Sequence, residues 1–174
     1  MTENQEKKFV VDIMYQRLGR FLRVLGYDTV IDADLSDNDQ LELAVKENRI
    51  VLTRDELMGQ IGLKKGLQIA RVDAPTIEER IANLALQTEI DLELNDGRIS
   101  RCTVCNSPIK IIDKKEIEKD MLEGTKDHYD QFWICTNNDC QQIYWKGPHW
   151  VKMKESLEIS KKLLEEKKNK ILKE

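Results

Sequence analysis

The chain has 174 residues, of which 40% are hydrophobic and 34% charged, with only 8 glycines and 3 prolines. This composition excludes collagen-like and Pro/Gly-rich disordered classes, and it suits one medium domain or a domain of about 100 residues with a small module. A formal charge of −4 argues against duplex binding by bulk charge. No apolar run reaches the roughly 18 residues of a membrane span. The polar N-terminus MTENQEKKF lacks the apolar segment of a secretory signal. The expectation is a cytoplasmic protein, where the four cysteines serve as metal ligands rather than disulfides.

Phe9–Asp12 (FVVD) is a short apolar run suited to a buried parallel strand. Met14, Leu18, Phe21, Leu22 and Leu25 then fall on one helical stripe, and Gly26 stands at the helix stop. Tyr27–Ile31 is a second strand. Ser36 is placed to cap a helix over Asp37–Asn48 that buries Leu41, Ala44 and Val45. Arg49–Thr53 (RIVLT) is a β-branched, continuous strand, followed by a short helix around Glu56–Ile61. Leu67–Val72 is a fourth strand, and Pro75 sits in the first turn of a helix running to about Ile90. Strands alternating with helices imply a parallel sheet covered on both faces, hence a three-layer α/β sandwich over residues 8–90.

Asn95-Asp96-Gly97 is a turn signal and a boundary. Residues 101–150 hold all four cysteines and the aromatics Tyr129, Phe132, Trp133, Tyr144, Trp145 and Trp150. The apolar runs Ile109–Ile112 and Gln142–Trp145 suit a flanking hairpin. Residues 151–174 are charged and helix-forming; Leu157, Leu164 and Ile171 recur every seven residues, and polar residues interrupt the seam. That pattern reads as a solvated terminal helix or a dimer contact.

The alternation places carboxylates at one rim. Asp12 ends strand one, Asp32 and Asp34 follow strand two, Asp55 follows strand three and Asp73 ends strand four. Asp37 and Asp39 open the second helix beside the same end of the sheet. Open parallel sheets bind ligands outside the carboxyl ends of their strands. Crowded carboxylates repel unless protonated or screened, and an oxygen-rich acidic cluster suits Mg²⁺ or Mn²⁺. The chemistry this supports is metal-assisted phosphodiester hydrolysis. Asp12 and Asp55 are the best pair, because both follow buried apolar strands; each Asp alone also suits a turn or helix cap. Arg17, Arg20 and Arg54 can hold phosphates or pair with the nearby acids, and Arg17 and Arg20 lie nearer the rim than Arg23. No P-loop, Gly-rich dinucleotide turn or nucleophile elbow occurs.

Cys102-x-x-Cys105 and Cys135-x₄-Cys140 form two pairs separated by 29 residues. Two close pairs of thiolates are what tetrahedral structural Zn²⁺ requires. Such a closed site folds a module too small for its own core and leaves no open position for catalysis. His149 can contact metal or phosphate, or pack among aromatics; His128 is expected at the surface. Trp133, Tyr144, Trp145 and Trp150 can stack bases or pack the module.

The stretches VDIMYQRLGRFLRVLGYD, SDNDQLELAVKENRIVLTRD, RCTVCNSPI, YDQFWIC and QQIYWKGPHW together resemble one family. It is the PIN-like ribonuclease domain fused to a zinc ribbon, named for the C-terminal domain of the Mut-seven exonuclease, and the similarity runs over about residues 8–155. The resemblance implies a PIN-like fold over 8–95, a zinc ribbon over 98–150 and a charged helix over 151–174. It implies a metal-dependent ribonuclease acting on single-stranded RNA, with Asp12, Asp37 and Asp55 as the acidic triad and Asp73 as a fourth acid. Two positions depart from the family pattern. The second cysteine pair has four intervening residues instead of two, and Pro148 stands where Ser is common. The competing functions are a non-catalytic module binding RNA or protein through the ribbon and basic tail, and a metal-dependent phosphatase for small esters. A monomer or a weak homodimer is compatible with the helix.

Overall fold

The computed structural model describes residues 7–94, 100–117 and 123–173; the expected turn at Asn95-Asp96-Gly97 lies outside them. Four parallel strands, β1 (Lys8–Val11), β2 (Asp28–Val30), β3 (Arg49–Leu52) and β4 (Ile69–Ala70), form a sheet in the order β2-β1-β3-β4. Strand residues alternate in direction. Phe9, Val11, Ile50 and Leu52 therefore join one core with α1 (Gln16–Val24) and α4 (Ile77–Thr88). Val10 and Val51 join a second core with α2 (Asp37–Glu47) and α3 (Glu56–Lys64). The result is the expected layering of helices on both faces of a parallel sheet.

Local chemistry sets the helix ends. Ser36 and Asp39 form a reciprocal capping box at the start of α2, as do Thr76 and Glu79 at the start of α4. Pro75 thus precedes the cap of α4 instead of lying in its first turn. Asn48 closes α2 in the left-handed region at φ 52. The buried stripe of α2 is Gln40, Leu41 and Ala44, so Val45, expected inside, is 52% exposed. It lies one step past the stripe. Strand four is two residues long, shorter than the apolar run Leu67–Val72 suggested.

A buried arginine ties the amino ends of the strands together. Arg49 donates to the carbonyls of Phe9 and Asp28, to the Asp28 carboxylate at 2.8 Å and to Glu47 at 2.6 Å. Burial raises the Asp28 carboxyl, but the bonds from Arg49 and from Asn106 outweigh it and hold it below the ordinary 3.8. A lowered native value means that Asp28 stabilises the fold fully above that ordinary value and loses its contribution as pH falls through the native one. Arg49→Met removes the cation from both carboxylates, leaving Asp28 only its Asn106 bond, and both are only partly exposed. It is expected to cost about 2–3 kcal/mol, measured by urea unfolding at neutral pH, with a smaller deficit in acid, where Asp28 is neutral.

The described residues between 101 and 150 include a second, antiparallel sheet of β5 (Ile109–Ile112), β6 (Phe132–Cys135) and β7 (Ile143–Trp145). Among the described residues between β5 and β6 are two short helices, α5 (Lys114–Ile117) and α6 (Glu123–His128). The two runs expected to pair as a hairpin instead flank β6, which pairs with both. The last helix, α7 (Pro148–Ile171), starts with Pro148 in its first turn. It is not solvated along its length. Leu157 and Ser160 are buried, and Met153 and Leu164 pack on the core of α1 and α4. Two of the three heptad leucine-type positions therefore face this chain itself, and Ile171 is exposed. Among the described residues, no helix is long and apolar enough to cross a membrane.

Candidate active site and metal centre

The cysteine sulfurs of Cys102, Cys105, Cys135 and Cys140 all lie within 4.8 Å of one another. Cys105 and Cys135 approach to 3.3 Å, and Cys102 and Cys140 to 3.7 Å. Two short turns present them. Asn106, directly after Cys105, has φ 70, and Gln141, directly after Cys140, has φ 46, so each turn closes through a left-handed residue. The longer second loop folds on itself: the N–H groups of Cys140 and Gln141 both reach the Asn137 carbonyl, and Asp139 N–H reaches the Asn137 side chain. The two extra residues are taken up there, and Cys140 still reaches the cluster. Backbone N–H groups of Cys105 and Asn137 point at the sulfurs of Cys102 and Cys135, which favours thiolate.

Burial raises the Cys105 thiol, yet the side chain and backbone of Ser107 overcome this and hold it at about 6. Burial pushes Cys135 up to about 12 and raises Cys140 as well. Four thiols so close cannot all ionise without a cation, and the cluster can hold a metal ion. The Tyr144 hydroxyl sits 3.1 Å from the Cys102 sulfur and accepts the Thr103 N–H. His149 is exposed on the first turn of α7 and is not part of the cluster. His128, as expected, is at the surface.

This centre is fastened to the amino end of the parallel sheet. Arg23 is only 4% exposed, and its guanidinium donates to the carbonyls of Thr29, Thr103 and Val104. Asn106 accepts the Thr29 N–H and donates to Asp28. Arg23, which the sequence ranks below Arg17 and Arg20 as a phosphate contact, instead staples the first cysteine turn to α1 and β2.

The acids lie at the opposite, carboxyl end of the strands. Asp12 immediately follows β1; its Oδ1 accepts the Met14 N–H at 3.1 Å, and its Oδ2 accepts the Thr53 hydroxyl at 3.0 Å. The same Thr53 oxygen accepts the Asp55 N–H at 3.0 Å, and Asp55 caps α3 by accepting the Met58 N–H at 2.6 Å. Thr53, buried at 1% exposure, thus ties the Asp12 carboxylate to the backbone of Asp55, the two residues that form the best pair in the sequence. It was missed; the signal is a hydroxyl that ends a buried strand next to an acid, where it must find partners.

Asp73 also lies at this end, but it is engaged. It accepts bonds from Arg71, Tyr15 and Arg54 at 2.9, 3.1 and 2.9 Å. The Arg71 guanidinium, aided by Tyr15 and Arg54, holds its carboxyl below the usual range, while burial and Asp73 together raise the Tyr15 hydroxyl. Arg54 is therefore paired with an acid, one of the two roles its sequence position suits. Asp37 is exposed in the first turn of α2, and Asp39 belongs to the capping box. Asp32 closes a local turn by accepting the Asp34 N–H. Arg17 and Arg20 are exposed on α1, with Arg20 donating to Gln16 at 3.3 Å. Among the described residues, the carboxylates do not gather into a set of three as the cysteines do.

A family model described as the Mut7-C RNAse domain matches residues 7–157, spanning both the acid-bearing sheet and the cysteine cluster. No curated protein and no solved structure matches the chain.

Proposed function

The chain belongs to the Mut7-C RNAse domain family, and from that premise we propose that it is a metal-dependent ribonuclease with a PIN-like domain and a structural zinc ribbon. The observation that carries the reading is the Asp12–Thr53–Asp55 linkage at the carboxyl end of adjacent strands β1 and β3. Ligands of open parallel sheets bind at that end.

Asp12 and Asp55, with Asp37 from the start of α2, would hold one or two Mg²⁺ or Mn²⁺ ions. Mg²⁺ keeps several waters and binds through one or two carboxylates plus substrate phosphates, so a pair of acids fits it without a closed cage. When bound, the ion supplies an acidified water and charge stabilisation for phosphodiester hydrolysis. Thr53 fixes the orientation of Asp12 by donating to Oδ2. Arg17 and Arg20, on the helix that follows Asp12, face solvent and are free to meet the RNA backbone. Arg54 joins them on exchanging Asp73 for a phosphate. Asp73 supports this side through Tyr15 and the two arginines.

At the other end of the strands, four sulfurs with separations between 3.3 and 4.8 Å fit the roughly 3.8 Å edges of a Zn²⁺–thiolate tetrahedron with bonds of about 2.3 Å. The four cysteines close the site, so the zinc holds structure.

Purified protein is expected to cleave single-stranded RNA when Mn²⁺ or Mg²⁺ is added and to leave it intact without them, read on denaturing gels. Absence of product with every divalent ion overturns the enzyme reading. One observation favours a second reading, a non-catalytic binding module: no three carboxylates are gathered among the described residues. That reading expects RNA binding with no product and no dependence on Asp12.

A further inference from the structure

All three tryptophans of the chain, Trp133, Trp145 and Trp150, line a single cavity of about 550 Å³ between the cysteine module, the end of α1 and the start of α7. The catalytic reading does not use it. The register of the second sheet places Ile111, Trp133 and Tyr144 in one cross-strand row, and this row forms one wall. Val24 and Leu25 at the end of α1, with Trp150 and Met153 from α7, supply much of the facing apolar lining. The volume is that of a site for a nucleotide-sized ligand.

The polar groups are cationic in balance. Arg101, Lys110 and Lys146 line the cavity with one acid, Glu93, in a chain whose net charge is negative. Lys146 Nζ lies 5.5 Å from the Trp133 ring centroid, so a positive charge stands beside an aromatic plate. Trp133 and Trp150 are half-buried and Trp145 is 38% exposed, which leaves ring surface open. Gly147 permits the Trp145 position, since a Cβ there would come within 2.6 Å of the indole nitrogen. Planar apolar surface combined with a cationic rim is the chemistry that takes an unpaired base and its phosphate.

We propose that this cleft binds an unstacked base of single-stranded RNA and anchors the substrate away from the cutting end. The proposal rests on the ribonuclease reading for the identity of the ligand. The cleft adjoins the last residues of α1, and Asp12 caps the 3-10 turn Ile13–Tyr15 that leads into its first turn. The nine-residue helix by itself spans about 14 Å between them. An oligonucleotide must exceed that span to occupy both places, so the Michaelis constant falls with substrate length while kcat stays level.

The test uses the full zinc-loaded chain carrying Asp12→Asn, which keeps binding separate from cleavage. A short oligouridylate added without Mg²⁺ is expected to quench tryptophan emission saturably. Trp133→Ala is expected to weaken that binding about ten-fold, with recovery in Trp133→Phe. Exposed Lys110→Glu is expected to weaken it further as salt is lowered, relative to the parent. In the otherwise unaltered enzyme, Trp133→Ala raises the Michaelis constant and leaves kcat alone. The idea is overturned by absence of quenching, by quenching that Trp133→Ala leaves unchanged with its zinc retained, or by uridine monophosphate binding as tightly as the oligonucleotide. Quenching without any cleavage by the parent would sink the enzyme reading and keep the cleft.

Discussion

Asp12→Asn and Asp55→Asn are each expected to lower kcat for RNA cleavage about a hundred-fold or more at saturating Mn²⁺. The amide cannot supply the anionic oxygen that holds a divalent ion, and removing a single charge-stabilising group from an active centre costs on this order. The substitution is chosen because both residues also cap structure. Asp12 accepts from Met14 and Asp55 from Met58, and asparagine caps about as well as aspartate. Stability should therefore change by only a few tenths of a kcal/mol, whereas alanine would confound the result with about 1 kcal/mol of lost capping. Single-turnover gels report the rate and urea unfolding reports the fold. A variant that retains full cleavage refutes the acidic pair as the centre of the chemistry.

Cys102→Ser is expected to lose the bound zinc and the ordered packing of residues 101–150. Structural zinc contributes about 10–16 kcal/mol of binding free energy at neutral pH, far more than the small second sheet can supply for itself. Cys102 is fully buried, and its sulfur meets Cys140, the Tyr144 hydroxyl and the Cys105 N–H, so serine leaves those partners misplaced. Metal content measured by atomic emission should fall from one zinc per chain toward none. Near-ultraviolet circular dichroism should collapse, because all three tryptophans belong to this region. Acidification should release the metal in the parent by the same route, as protons compete for sulfur. Zinc retained at full occupancy in Cys102→Ser would remove the four-sulfur site.

The parts legible in the sequence were those with local causes. β1 and β3 were visible as continuous apolar runs, the cap at Ser36 as a side chain before a helical stripe, and the cysteine cluster as two spaced pairs. Asp12 and Asp55 were legible because each follows such a strand. What stayed hidden depends on contacts between distant segments. Thr53 gains its meaning only when β1 lies beside β3. Arg23 looked like one more surface cation until the first cysteine turn covered it. β6 was obscured because a cysteine of the cluster, a core phenylalanine and a half-open tryptophan share four residues. The last helix looked solvated since its buried stripe, Leu157 and Ser160, is narrow within a strongly charged segment. The partners of Asp73, two arginines and the Tyr15 hydroxyl, come together from three separate segments.

The contacts of Thr29 carry a consequence for how the chain behaves when metal is scarce. β2 is one of the two edge strands, and its Thr29 N–H and C=O are both occupied, by Asn106 and Arg23. Asn106 directly follows a cysteine of the cluster, so its share of this shielding holds only while the cysteine turn is formed. Bare strand edges template pairing with other molecules. Zinc depletion would therefore uncover a sticky border on an otherwise intact sheet, and the first symptom of starvation would be self-association and precipitation, ahead of any loss of chemistry.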